Sequence, residues 1–168
     1  MKLIPKEIIF RRSIPPGLML IAACALGTAY AAELVFQLKP CDLCVYQRIP
    51  YIIVGALGVA TYLFNNNRFI MLAIGTAGMV LLAGSGLAMY HVGVEQHWWI
   101  SAASCGTGQL NQVLTMSEFQ ALLQQKPVIA CDGIAWSLFG VSMASYNAAI
   151  SLFFGLTGLW CANKMRYF

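Results

Sequence analysis

Cys41 and Cys44 stand three positions apart in the run KPCDLCVYQR, and Arg48 follows four residues later. A C-x-x-C pair can open and close a disulfide between near neighbours, with the thiolate as nucleophile. A cation four residues beyond Cys44 lies one turn on along the same helix face and favours that thiolate. Disulfide chemistry moves two electrons at a time, so the pair needs an acceptor. Further cysteines stand at 24, 105, 131 and 161, and His91 ends the run GLAMYH.

The elements that must position these residues are apolar. The chain has 168 residues, 60% hydrophobic and only 10% charged. Soluble domains are about half apolar and about a quarter charged, so a bilayer must cover this surface. Spanning a core of ~30 Å takes about 20 helical residues. Four runs qualify: Gly17 to Leu38, Val45 to Phe64, Phe69 to Tyr90 and Ile134 to Trp160. A closed barrel is the other way to span, but these runs are too long and do not alternate. The expected fold is an all-α membrane protein, a four-transmembrane-helix bundle forming one domain over residues 1–168. KEIIFRR with the later AYA has the outline of a signal peptide, but the apolar character continues to Leu38, which predicts an uncleaved first span.

Charge orients the bundle. The side holding both termini carries Lys2, Lys6, Arg11, Arg12, Arg68, Lys164 and Arg166 against one acid, Glu7. The other side carries Lys39, Arg48 and Lys126 with Glu33, Asp42, Glu95, Glu118 and Asp132. The positive-inside rule makes the first side cytoplasmic and puts two loops outside. Tyr46, Tyr51, Tyr90, Trp98, Trp99 and Trp136 mark the outer interface, and Trp160, Tyr167 and Phe168 the inner one. The cations sit at segment ends rather than in a patch, which speaks against a nucleic-acid partner. Small residues at four-residue spacing, Gly84 with Ala88 and Gly140 with Ala144 and Ala148, predict close helix packing. The long connection from His91 to Gly133 should contain structure. Thr115 and Glu118 form a capping box, Leu114 and Phe119 a staple, and Phe119, Leu122 and Leu123 a stripe before Pro127. A short amphipathic helix is expected there on the outer membrane surface, anchoring the loop or docking a partner.

Cys24 and Cys161 read as small buried apolar side chains. Cys41, Cys44, Cys105 and Cys131 all fall on the outer, oxidising side. Four cysteines allow three pairings. The simplest keeps the C-x-x-C pair local and leaves Cys105 with Cys131. That second pair reads either as a staple worth about 3–4 kcal/mol or as an exchangeable disulfide. A four-thiolate zinc site is the other reading, although such sites usually hold two close pairs. Asp42 is expected to cap the second span, placing Cys44 in a first turn whose amides favour a thiolate. Arg48 inside a span is expensive unless it has a function; otherwise it snorkels to the headgroups. Pro50 removes the amide that would bond the Tyr46 carbonyl and loosens this turn. A lipid-dissolved acceptor of two electrons and two protons, a quinone, would meet Cys44 and Arg48 here, with His91 bonding its oxygen or handling a proton. His97 and Glu95 lie close by in sequence without a metal pattern.

These residues resemble the bacterial disulfide bond formation protein B family, quinone-linked thiol oxidases of the inner membrane. The resemblance rests on KPCDLCVYQR, on YH, on SAASCG and on ACDGIAWSLFGVSMASYN, and it covers nearly the whole chain. It implies that Cys41 and Cys44 face a quinone (ubiquinone or menaquinone), with Arg48 and His91 contacting it. It implies that Cys105 and Cys131 oxidise a periplasmic thioredoxin-like, DsbA-type partner. Nothing at these positions departs from the family pattern. A vitamin K epoxide reductase-like protein is the nearest alternative, but its C-x-x-C normally follows its loop cysteines. A non-enzymatic metal-binding membrane protein is the other alternative.

Overall fold

The first helix begins well before its apolar run. In the computed structural model, which describes residues 6–64, 66–99, 131, 133 and 136–166, α1 spans Lys6–Phe36 with Pro15 and Pro16 inside it. Gln37 then takes a left-handed φ of 54° and bonds the Leu34 carbonyl with its side chain, turning the chain out of the helix.

The second apolar run is two helices rather than one. α2 (Asp42–Tyr46) stops at Gln47, and α3 (Ile49–Phe64) begins after a turn at Gln47 and Arg48. The break falls where Pro50 has no amide for the Tyr46 carbonyl, as expected. The cap differs from expectation. Cys41, not Asp42, is the N-cap of α2, and its sulfur accepts from the Cys44 amide. Asp42 sits in the first turn instead, where its charge faces the positive helix end.

α4 (Asn67–Glu95) is capped by Asn66, whose side chain accepts from the Arg68 amide at 3.0 Å. It continues past Tyr90 and so carries His91 and Glu95, four residues apart, on one helical face. The fourth apolar run departs from expectation at its start. Residues from Ser137 to Ser142 form a hairpin, β1 (Ser137–Leu138) and β2 (Val141–Ser142), paired antiparallel. Its two-residue turn, Phe139 and Gly140, has φ of 51° and 78°, the left-handed geometry such hairpins require. Gly140 is therefore a turn residue and not a helix-packing one. The helix, α5, runs Met143–Met165 with Ser142 as its cap. Arg12–Phe36, Asp42–Phe64 and Asn67–Glu95 are long and apolar enough to cross a membrane. α5 is long enough, but it carries Ser145, Asn147, Ser151 and Thr157 among its apolar residues.

Three clusters fill the bundle from end to end. Ile70, Ile74 and Met165 meet Ile14 and Cys161, so the starts of α1 and α4 and the end of α5 share one end. Leu18, Tyr51, Val54, Ala77 and Leu81 form the middle. Cys41, Leu43, Val94 and Cys131 form the other end. α4 packs most extensively on α5. A Cβ on Gly78 would lie 3.0 Å from the Gly155 carbonyl and the Leu159 amide, so the two backbones approach directly there. Ala88, Ala144 and Ala148 are buried, and Gly84 lets α4 reach Pro50, so the small residues do serve close packing. Two expectations about burial fail. Tyr51 is not an interfacial aromatic but a core residue. Cys24 is exposed on α1, which packs chiefly on α3 and leaves its other face bare. Cys161 is half-buried. Cys105 and the amphipathic helix expected between Thr115 and Pro127 lie outside the described residues.

Candidate active site at the cysteine end of the bundle

The break between α2 and α3 sets the geometry. It ends one helix just after Cys44 and turns Gln47 inward, where it is buried. The Cys41 thiol donates to the Cys44 sulfur at 3.0 Å, and the Cys44 amide points back at Cys41 at 3.4 Å. That hydrogen bond, together with burial, pushes the Cys41 thiol up to about 12, so Cys41 holds its proton. Cys131 is 1% exposed and packs into the same cluster as Cys41, with Cys44 against it. A cysteine from the long connection between α4 and the hairpin thus stands beside the C-x-x-C pair.

His91 is 3% exposed and reaches this pair from α4. Its Nε2 is 3.7 Å from the Cys41 sulfur and 3.8 Å from Glu95 Oε1. Its Nδ1 faces Gln47 Nε2 at 2.7 Å. Gln47 Oε1 accepts from Asn147 Nδ2 at 2.5 Å, and Asn147 Oδ1 accepts from the Tyr51 hydroxyl at 2.6 Å. Ser151 closes the chain, with its hydroxyl 2.7 Å from that of Tyr51. A polar string therefore runs from the sulfurs through α4, the α2–α3 turn and α5 into the core. Buried polar groups cost free energy unless they are paired, and here nearly every one is. Glu95 is one exception: it is 7% exposed and its Oε2 has no hydrogen-bond partner.

The structure separates the two residues expected to contact a quinone. His91 touches the cysteine pair, whereas Arg48 forms an ion pair with Glu33 on α1 and stacks over the Tyr30 ring, 5.0 Å from its centroid. Neither Cys44 nor His91 is among the partners of Arg48. Its Nε is nevertheless buried and unbonded. An orphaned donor of that kind fits an acceptor oxygen brought by a ligand. The residues present thus suit a quinone carbonyl.

The sulfurs of Cys41 and Cys44 and a ring nitrogen of His91 lie within 4.8 Å of one another, which is close enough for a metal ion. The surroundings are wrong for one. A metal-bound histidine donates its other N–H to an acceptor, but here Nδ1 receives an amide donor. His97 turns elsewhere, its ring on the Glu95 carbonyl at 3.1 Å.

Sequence reasoning missed Gln47, Asn147, Ser151 and the role of Tyr51. The available signal was polar residues at i, i+4 inside apolar runs: Gln47 with Tyr51, and Asn147 with Ser151. It missed Glu95 too, although its spacing from His91 was visible.

Comparison with known proteins gives the family. The family described as "Disulfide bond formation protein DsbB" matches residues 11–161. Disulfide bond formation protein B of Acinetobacter baumannii is 29% identical over 150 residues, covering 84% of this chain and 86% of that protein. Its counterpart in Xylella fastidiosa (strain 9a5c) is 30% identical over 145 residues, covering 83% and 82%. An uncharacterized protein of Rickettsia prowazekii is 29% identical over 137 residues, covering 80% and 78%. No solved structure matches the chain. With the model matched along most of its length, the chain belongs to the disulfide bond formation protein DsbB family.

Proposed function

We propose that this protein is a membrane thiol:quinone oxidoreductase that makes disulfides for a periplasmic thioredoxin-like, DsbA-type partner. The observation that carries the reading is the meeting of Cys41, Cys44, Cys131 and His91 at one end of an apolar bundle. The family match favours it over a vitamin K epoxide reductase-like or metal-binding protein. In this reading the whole chain is one four-helix domain of the bacterial inner membrane. Both termini are cytoplasmic, and the cysteine end is periplasmic. The charge bias and the grouping of α1, α4 and α5 ends support that orientation.

Chemistry proceeds by thiol–disulfide exchange. A partner thiolate attacks the disulfide of Cys105 and Cys131, and a second partner thiol resolves the mixed disulfide, leaving the partner oxidised and the loop pair reduced. The loop thiols then exchange with the disulfide of Cys41 and Cys44, regenerating their own bond and leaving the C-x-x-C pair reduced. Cys41 and Cys44 re-form their disulfide by giving up two electrons and two protons. A bound quinone supplies the acceptor for both. Arg48 Nε and His91 are the groups that would hold its oxygens, the first with a donor that has no other partner. Burial of Cys41 and Cys131 keeps water and stray thiols from the pair.

The test uses purified protein in detergent with a reduced thioredoxin-like substrate protein and a ubiquinone or menaquinone analogue. One quinone consumed per substrate disulfide formed is expected. Substrate oxidation without quinone consumption, or neither, would overturn the reading.

A further inference from the structure

His91 can carry its single neutral-ring proton on either nitrogen, and the difference decides what it offers the sulfurs. On Nε2 the proton points at Cys41. On Nδ1 it points away, and Nε2 becomes an acceptor. The hydrogen-bonded string fixes this choice. The hydroxyl of Ser151 donates to the Tyr51 oxygen, 2.7 Å away, and the hydroxyl of Tyr51 donates to Asn147 Oδ1. Asn147 must then present its amide nitrogen to Gln47 Oε1. Gln47 in turn presents its own amide nitrogen to His91 Nδ1. Each amide has one donor end and one acceptor end, so orientation passes along the string without loss. Nδ1 is left as an acceptor, and the proton is on Nε2.

We propose that Gln47 and Asn147, oriented by Tyr51 and Ser151, are positioning residues that hold His91 in the Nε2–H tautomer and so aim its one ring proton at the Cys41 sulfur. The inference rests on the thiol oxidase reading above. When a quinone reoxidises the pair and takes the two electrons, Cys41 bonds to Cys44 as a thiolate, and Nε2–H is placed to stabilise that thiolate before the bond forms. Among the described residues, Cys44 and Glu95 are further titratable groups close to the His91 ring. A charge-assisted hydrogen bond is among the stronger ones available in such a site.

The test is nitrogen NMR of the full-length protein, reduced and free of quinone, in detergent. The chain has two histidines, so 15N-histidine labelling gives two rings, and a His97→Gln variant assigns them. A bare and a protonated ring nitrogen resonate far apart. Wild-type protein is expected to show Nδ1 bare and Nε2 protonated at His91. Gln47→Met, which keeps the volume and removes the donor, should produce a clear fraction of the Nδ1–H form. Asn147→Leu should do the same from a residue that does not touch the ring. Both should slow reoxidation of Cys41 and Cys44 by quinone about tenfold. A protonated Nδ1 in the wild type overturns the proposal by itself, whether or not the variants fold. An unchanged tautomer in folded Gln47→Met overturns it as well. The expected tautomer in a protein that consumes no quinone would leave the lock standing and remove the oxidase reading instead.

Discussion

The two ends of this bundle are built from the same helices and held together by different means. At the end where α1 and α4 begin, Ile70, Ile74 and Met165 pack against Ile14 and Cys161, and just inside it Gly78 and Gly155 bring the α4 and α5 backbones together. The buried cluster there is apolar. At the cysteine end the second apolar run breaks at Gln47, α5 starts late behind a hairpin, and the gap is filled by side-chain hydrogen bonds. One end is cohesive through dispersion and close approach. The other tolerates buried polar atoms because most have a partner; among the described residues, Glu95 Oε2 and Arg48 Nε are left unbonded. Substitutions at the cysteine end should therefore cost turnover, and those at the other end should cost stability.

The largest effects belong to the cysteines. Cys44→Ser should abolish quinone-linked oxidation. Cys105→Ser or Cys131→Ser should abolish oxidation of the protein partner while quinone still reoxidises Cys41 and Cys44 after chemical reduction. Following each pair by thiol trapping checks this. Normal partner oxidation in the single loop variants would make that pair a mere staple.

The next effect concerns reactivity. With its thiol pushed up to about 12 by the hydrogen bond to Cys44 and by burial, Cys41 holds far less thiolate at mildly alkaline pH than an ordinary thiol. Reduced, folded protein should alkylate at Cys41 far more slowly than the same chain in denaturant, and the gap should close as pH rises towards 12. Mass spectrometry of the labelled peptide measures both.

Arg48 comes third. A hydrogen bond to a charged group is worth about 1.5–3 kcal/mol, so Arg48→Gln should weaken apparent quinone affinity, or slow that step, by roughly ten- to a hundredfold. Arg48→Lys should be milder but not silent, because Lys lacks the planar fork. His91→Ala should show a smaller defect in the same step. A wild-type quinone titration in Arg48→Gln would leave the Glu33 ion pair as the whole role of this arginine.

At the opposite end the sign of the comparison reverses. Gly78→Val pushes side-chain atoms into the Gly155 carbonyl and should cost about 1–3 kcal/mol of stability. Thermal melting should show the loss, while the folded fraction keeps its specific activity. The smallest effect is expected for Cys24→Ala with Cys161→Ala, which should leave turnover nearly unchanged because both stand away from the cysteine end. A clear loss of turnover there, with normal expression, would mean that the two ends are chemically coupled.

Much of this was legible without coordinates. The length and apolarity of the runs required membrane-spanning helices, because backbone polar groups in lipid must be satisfied within the segment. The C-x-x-C pair, the further cysteine at 131 and the family resemblance pointed to the chemistry. The break before Pro50 followed from one missing amide. Local rules reached less far where local options compete. Asp42 and Cys41 both suited the cap position of α2. The residues before Met143 are as apolar as a helix start, yet the hairpin closes on Phe139 and Gly140 in left-handed conformations.

By itself, then, the sequence determined the material of the site: two near cysteines, a third on the same side, a histidine at a helix end and an arginine inside a span. Only the tertiary structure decided the partners. Gln47 and Asn147 are 100 positions apart, as are Tyr51 and Ser151. Arg48 met Glu33 rather than His91 because α3 lies against α1 on one side and α4 on the other. Hydrogen bonds act over about 3 Å and have a direction, so their pairing depends on how helices rotate and approach. Periodicity fixes the face a residue occupies, but the packing of all the helices at once fixes what that face meets.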